Sequence, residues 1–215
     1  MNENHERVCT SPEWADHIQN EILPILTRDV DLGKEMLEVG PGPGAATEWL
    51  RHKVAQLTAI EVDEAAADAL ARRYAGTNVQ IVTGSAAELA YPDESFDSAG
   101  CFTMLHHVPT LALQNKILAE AFRVLRPGGV LIGSDSLAST HLHEFHEADT
   151  YNPVEPASLL PRLQTLGFGR ITVTVDDSLL FIARKLGPDQ QCAPDQQCEP
   201  DQQCEPDEAG PADRS

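Results

Sequence analysis

Apolar residues in this chain gather into short runs separated by amphipathic stretches, and the two patterns alternate. Residues 36–39, 56–61, 79–82, 95–102, 130–135, 171–175 and 179–183 carry the compact apolar runs of buried strands. Residues 63–74, 111–125 and 155–166 repeat apolar positions at helical spacing, and a further helix starts near Ala45. The helix over 63–74 opens on Asp63 and Glu64 and closes on Arg72 and Arg73, the charge order that a helix dipole favours. Ahead of the first strand, Ser11, Pro12 and Glu13 supply a cap, a first-turn proline and a first-turn acid. Trp14, Ile18, Ile22 and Leu23 then predict a helix within 11–28, which Pro24 kinks or ends. Strands alternating with helices predict an α/β protein with a doubly wound, mostly parallel sheet and helices on both faces. Only Asp176, Asp177 and Ser178 separate the last two strands. That link is too short for a parallel crossover and predicts an antiparallel C-terminal hairpin.

The pattern stops near residue 187. From Pro188 a hexapeptide, Pro-Asp-Gln-Gln-Cys followed by Ala or Glu, repeats almost without apolar residues. Such a segment cannot bury enough surface to fold alone, so residues 188–215 are expected to be a disordered acidic tail behind a domain spanning 1–187. The tail holds Cys192, Cys198 and Cys204 at even spacing. Thiols can bind a soft metal, but this spacing lacks the paired form of structural zinc sites, and no metal ligand is assigned from sequence. Cys9 and Cys101 bring the count to five, and an odd count argues against a disulfide framework.

Charge narrows the partners. The formal net charge is −19, and eight acids and one Arg from Pro188 onward leave about −12 for the rest. A nucleic-acid binder needs a positive footprint, and none is visible, so no nucleic-acid partner is predicted. No apolar run reaches the roughly 18 residues of a membrane span. The polar, acidic start, Met-Asn-Glu-Asn-His-Glu, does not read as a secretory signal. Cytoplasmic residence without membrane contact is the expectation, and oligomeric state is not legible.

The strongest local signal is Met36-Leu37-Glu38-Val39-Gly40-Pro41-Gly42-Pro43-Gly44, read as strand, tight turn and helix start. Glycines let the turn take positive φ and let a ligand touch bare backbone, while the helix start behind it offers unpaired N–H groups. The second strand ends on Glu61. In a parallel sheet the carboxyl ends of neighbouring strands lie side by side, so Glu61 can accept both hydroxyls of a ribose. Gly40-x-Gly42-x-x-Ala45 fits the dinucleotide fingerprint, but acidic-x-Gly-x-Gly-x-Gly over Glu38 to Gly44 is the closer match.

That pattern resembles the class I S-adenosylmethionine-dependent methyltransferases, small-molecule type, and among them the ubiquinone and menaquinone methyltransferase-like group. Tyr91-Pro92-Asp93-Glu94-Ser95-Phe96-Asp97 resembles the family's lead into its fourth strand, and Met104-Leu105-His106-His107-Val108 the segment after it. Residues 123–132, Arg-Val-Leu-Arg-Pro-Gly-Gly-Val-Leu-Ile, are similar to its helix-turn-strand element before strand five. The resemblance covers roughly residues 35–185, a typical domain length. It implies a Rossmann-like, mostly parallel seven-stranded sheet closing with an antiparallel hairpin. It also implies an enzyme using S-adenosyl-L-methionine to methylate a small-molecule acceptor on oxygen, carbon or nitrogen.

The same resemblance implies site roles. Turn residues Gly40, Pro41, Gly42 and Gly44 would meet the cofactor's amino-acid end, with Glu38 near its ammonium. Glu61 would hold the ribose, Val62 would pack on an adenine face, and Ser85, Ala86 and Phe102 would complete the pocket. The family usually places an Asp where this chain has Ser85, so the adenine amine loses a charge-assisted acceptor. Glu88, close by, reads as a first-turn helix acid.

Methyl transfer is a displacement in which the protein mainly binds and orients. His106 and His107 follow strand four at the sheet's ligand-binding edge, and one of them, His107 by preference, is the candidate general base. Their ordinary alternative is to line the pocket and bond to backbone. His141, His143, His146 and Asp149 form a His-rich connection after strand five, in which His143 and His146 could share a helix face. Metal binding, acceptor recognition and a merely polar loop all remain readings of that connection. Residues 149–153 read as a turn that could fold over the cofactor. Residues 58–63 also resemble the ribosomal RNA adenine methyltransferases. Those enzymes carry an Asn/Asp-Pro-Pro-aromatic motif after strand four, and this chain has Cys101-Phe102-Thr103-Met104 there. A weakly binding, non-catalytic domain is the other alternative.

Overall fold

A computed structural model describes residues 3–187. The expected tail from Pro188 lies outside the described residues.

The chain begins with α1 (Glu3–Cys9) and α2 (Pro12–His17), the latter capped by Ser11 accepting from the Trp14 amide at 3.1 Å. A π-turn (Ile18–Ile22) leads into α3 (Leu23–Thr27). The sequence predicts a helix within 11–28 that Pro24 kinks or ends, and the helix is indeed interrupted just ahead of Pro24. Proline donates no backbone hydrogen bond and crowds the preceding turn, and the wider π spacing just upstream relieves both. Helix α1 had no sequence prediction.

Strands and helices then alternate: β1 (Glu35–Val39), α4 (Ala45–Leu50), β2 (Gln56–Glu61), α5 (Glu64–Arg73), β3 (Val79–Thr83), β4 (Phe96–Phe102) and α6 (Leu111–Val124). They are followed by β5 (Leu125–Asp135), α7 (Thr140–Phe145), α8 (Pro156–Thr165), β6 (Phe168–Val175) and β7 (Leu179–Lys185). A single 3-10 turn, Leu105–His107, lies between β4 and α6. Asp63 caps α5 by accepting from Ala66, and Thr110 caps α6 by accepting from Leu113. Strand β5 starts five residues earlier than the sequence predicts, because Leu125 pairs with Phe96 before a register shift carries Val130 opposite Ser98.

The seven strands form one sheet in the order β3-β2-β1-β4-β5-β7-β6. The first five are parallel, and β7 runs antiparallel to both β5 and β6, as the short link at 176–178 predicts. Strand β1 is buried on both faces, which the alternation of its side chains requires. Met36 joins Ile18, Leu23, Leu26, Ala46 and Leu50 on one side, while Leu37 joins Ala99, Leu118, Leu131 and Leu159 on the other. Asp97 pins the amino edge of the sheet. Its carboxylate accepts from the Lys34 and Glu35 amides at 2.8 and 2.9 Å and from Arg126 at 2.6 Å.

Register decides what meets at the opposite edge. Val39 lies beside Ile60 and Cys101, Glu61 beside Thr83, and Phe102 beside Ser134. Chain order reverses between β1 and β4, and ligands of such sheets bind in the crevice outside the strand ends at that reversal.

Candidate functional site

The turn after β1 takes its shape from its glycines. Gly42 has φ +53°, and a Cβ added there would meet nothing within 4 Å, so its backbone faces open space. Gly44 caps α4 at φ +87°, where a Cβ would come within 2.9 Å of Leu70. Only glycine satisfies both demands there, positive φ and close approach of a neighbouring helix. Gly40 hangs on β2 by donating to Ile60 at 2.9 Å, and Pro41 is buried beneath the turn.

Two carboxylates flank this turn. Glu38 is buried, and Thr47 of α4 donates to it at 2.7 Å. Burial, with the nearby Glu61 charge adding to it, pushes the Glu38 carboxyl up to about 7 against the opposing pull of the Thr47 bond. Glu61 is also buried, and it accepts from the Gly42 amide at 3.2 Å and the Asp63 amide at 3.0 Å. Sequence places Glu38, Gly40, Pro41, Gly42, Gly44 and Glu61 in one site, and the fold brings them together.

The remaining cofactor candidates divide. Val62 is 75% exposed, an apolar platform just past β2. Ser85 is exposed, and its hydroxyl accepts from the Ala87 amide at 3.2 Å. Ala86 is buried beside it, and Glu88 lies in a turn rather than a helix. The Phe102 ring is packed in the core with Ile18, Met36 and Ile132, so only its backbone reaches the edge. The next residue, Thr103, holds φ +50°, a strained conformation for a β-branched residue at the β1/β4 crevice.

The second half of the site lies at the ends of β4 and β5. Asp135, fully buried, closes β5. Its carboxylate accepts from the His106 ring Nδ1, the His106 amide at 3.2 Å and the Ser136 amide at 2.8 Å. The Nδ1–H tautomer this requires leaves the lone pair of His106 on Nε2. His107 is half-buried, with its ring centroid 4.0 Å from that of His106.

Two more imidazoles complete the group. His146 caps α7, is buried, and donates from Nδ1 to the Leu142 carbonyl at 2.7 Å. Its centroid is 5.0 Å from His106 and 5.1 Å from His107. His5 of α1 is buried 4.5 Å from His146 and 4.6 Å from His107, with Nδ1 3.4 Å from Asp149 Oδ2. Burial first, then neighbouring imidazoles, pull His5 down to about 4 and His107 down to about 3. His146 is lowered as well, chiefly by burial. These three rings are neutral near pH 7.

The His-rich connection is therefore split. His141 and His143 are exposed, and His143 packs its ring on Tyr151 rather than on His146. Because His146 sits past the end of α7, the two do not share a helix face. The sequence reading missed Asp135 and His5. Asp135 carried a signal, an acid closing an apolar strand as Glu61 does. His5 carried none, since a polar N-terminal segment gives no hint that one ring is buried.

Comparison with known proteins bears on this geometry. Residues 37–133 match the family described as "Methyltransferase domain". The chain is 32% identical over 143 residues to a protein of Mycolicibacterium smegmatis named "Probable S-adenosylmethionine-dependent methyltransferase", which covers 63% of this chain and 52% of that one. It is 29% identical over 128 residues to the fatty-acid O-methyltransferase of the same organism, covering 59% of this chain and 46% of that one. The chain thus spans about half the length of the relatives it matches. Phosphoethanolamine N-methyltransferase 2 of Haemonchus contortus, solved in complex with S-adenosyl-L-methionine, superposes with a TM-score of 0.67 at 15% identity. That match covers 85% of this chain and 57% of the other, and it speaks to the fold. The family model spans both the glycine turn and the β4 edge, and the sheet order carries the same architecture. Together these matches support a class I S-adenosylmethionine-dependent methyltransferase.

Proposed function

We propose that this protein transfers the methyl group of S-adenosylmethionine to a small-molecule acceptor bearing an oxygen, carbon or nitrogen nucleophile. The observation that carries this reading is the contact between Gly42 and Glu61, which joins the glycine turn to the strand-end acid at the β1/β4 reversal. The residues fit the cofactor. Gly42 leaves its backbone open to a ligand, Glu61 keeps acceptor capacity beyond its two backbone donors, and Val62 offers an apolar face. Glu38, two residues before the turn on β1, would balance an ammonium there. When bound, the cofactor supplies an electrophilic methyl group on a sulfonium.

The chain's own residues supply the rest. His106 and His107 flank the end of β4, next to the crevice, and would meet the acceptor. Asp135 fixes the His106 ring so that Nε2 can take a proton from a hydroxyl or amine as the new bond forms. The name of the fatty-acid relative favours a small acceptor, and no particular acceptor follows from it. Residues 1–187 are proposed as the working domain and 188–215 as an appendage outside it.

A weakly binding, non-catalytic domain is the second reading, and the exposed Ser85 favours it. Titration calorimetry with S-adenosylmethionine, S-adenosylhomocysteine and NAD tests both, followed by labelled-methyl transfer into a metabolite extract. Binding of the two sulfur nucleosides with label incorporated supports the enzyme. Binding without incorporation favours the second reading, and NAD binding alone sinks both. Among the described residues, no helix is long and apolar enough to cross a membrane.

A further inference from the structure

Four imidazoles from three separate parts of the chain converge at the carboxyl edge. His5 comes from α1, His106 and His107 from the turn after β4, and His146 from the end of α7. One nitrogen from each lies within 4.8 Å of the others. We propose that His5, His106, His107 and His146 together bind one divalent transition-metal ion of the zinc class.

The outer partners argue for a ligand set rather than a chance cluster. Metal-binding histidines commonly turn one ring nitrogen toward a carboxylate or carbonyl, which fixes the tautomer and aims the other nitrogen at the ion. Here Nδ1 of His106 is held by Asp135, Nδ1 of His146 by the Leu142 carbonyl, and Nδ1 of His5 faces Asp149. Nε2 is then the coordinating atom on these rings. Nε2 of His146 is buried and has no hydrogen-bond partner among the described residues, which is costly for a polar atom unless something binds it.

Geometry and chemistry select the ion. A tetrahedral zinc with Zn–N of about 2.0–2.1 Å sets its ligands roughly 3.4 Å apart, so small ring rotations close the present spacing. An all-imidazole set suits zinc, copper, nickel or iron and does not suit magnesium or calcium. Four protein ligands fill a tetrahedral shell, so the ion would be structural, pinning α1 to the end of β4. With the ion bound, His106 and His107 would give up the proton-transfer role, leaving the protein to act on an acceptor by binding and orientation alone. The assignment stands apart from the methyl-transfer reading, because its readouts need neither cofactor nor acceptor.

The test uses tag-free, chelator-treated full-length protein in which Cys192, Cys198 and Cys204 are serine, so that tail thiols do not compete. Calorimetry with Zn²⁺ should give one ion per chain. Co²⁺ should give the strong visible bands of four-coordinate nitrogen ligation, with no thiolate charge-transfer band. His5→Gln and His146→Gln should each weaken zinc binding by about 100-fold or more, and Asp135→Asn by about 10- to 100-fold. His141→Gln and His143→Gln should leave it unchanged. Circular dichroism shows whether each variant folds, and the Co²⁺ spectrum of the otherwise unaltered chain decides the matter if one does not. Six-coordinate cobalt, no zinc heat, or binding lost only with His141 or His143 would overturn the site. Any of those results leaves the calorimetry with S-adenosylmethionine to stand on its own.

Discussion

Gly42 donates its backbone N–H to Glu61 at 3.2 Å, a single bond that joins the turn after β1 to the acid ending β2. The second Glu61 oxygen accepts from Asp63. A carboxylate has about four acceptor sites, so two remain for ligand hydroxyls once the turn has been shaped.

Glu61→Ala should therefore weaken S-adenosylmethionine binding by ~1–3 kcal/mol, the range for lost hydrogen bonds to a charged group and the donors they leave behind. Titration calorimetry measures this directly. Affinity equal to that of the unmodified protein would remove Glu61 from the site.

The buried Glu38 should give cofactor binding a pH dependence. Burial and the Glu61 charge hold its carboxyl near 7, so in the free protein it is about half protonated at neutral pH. A ligand ammonium favours the ionised form, so binding below pH 7 must first expel a proton. Affinity should fall as pH drops through 7, by at most about tenfold per unit, and level off above it. Glu38→Gln should flatten that slope. An affinity that is the same at pH 6 and pH 8 in the unmodified protein would separate Glu38 from the ammonium.

Asp135→Ala strips the acceptor from the His106 ring, the His106 amide and the Ser136 amide at once. An unmet buried donor costs about 1–3 kcal/mol, so the loss should reach roughly 3 kcal/mol in urea unfolding. Asp135→Asn keeps the shape and part of the bonding and should lose less. A loss under about 1 kcal/mol would mean that these donors find water or another acceptor.

Ser85→Asp should tighten cofactor binding by about 1 kcal/mol, because an ionised acceptor replaces a neutral one while also losing water. Ser85 is exposed, which leaves room for the larger side chain. Calorimetry showing equal or weaker affinity would mean that the adenine amine is held elsewhere, with Glu88 the next candidate to replace.

The sequence by itself determined the sheet and the glycine turn with its strand-end acid. Buried parallel strands must be apolar on both faces, so each leaves a compact run, and residues 36–39, 56–61 and 130–135 show it. The short link at 176–178 forced β6 and β7 to be antiparallel. The turn at 40–44 and Glu61 were legible because local backbone demands, positive φ and a strand-end acid, leave their mark within a few residues. Only the tertiary structure decided the rest. It put the Phe102 ring into the core and turned His146 inward while His143 stayed exposed. It also brought His5 from the N-terminal helix to within 3.4 Å of Asp149. Contacts of that kind depend on how whole elements pack, and sequence periodicity records which face of an element is buried but not which distant side chain it will meet.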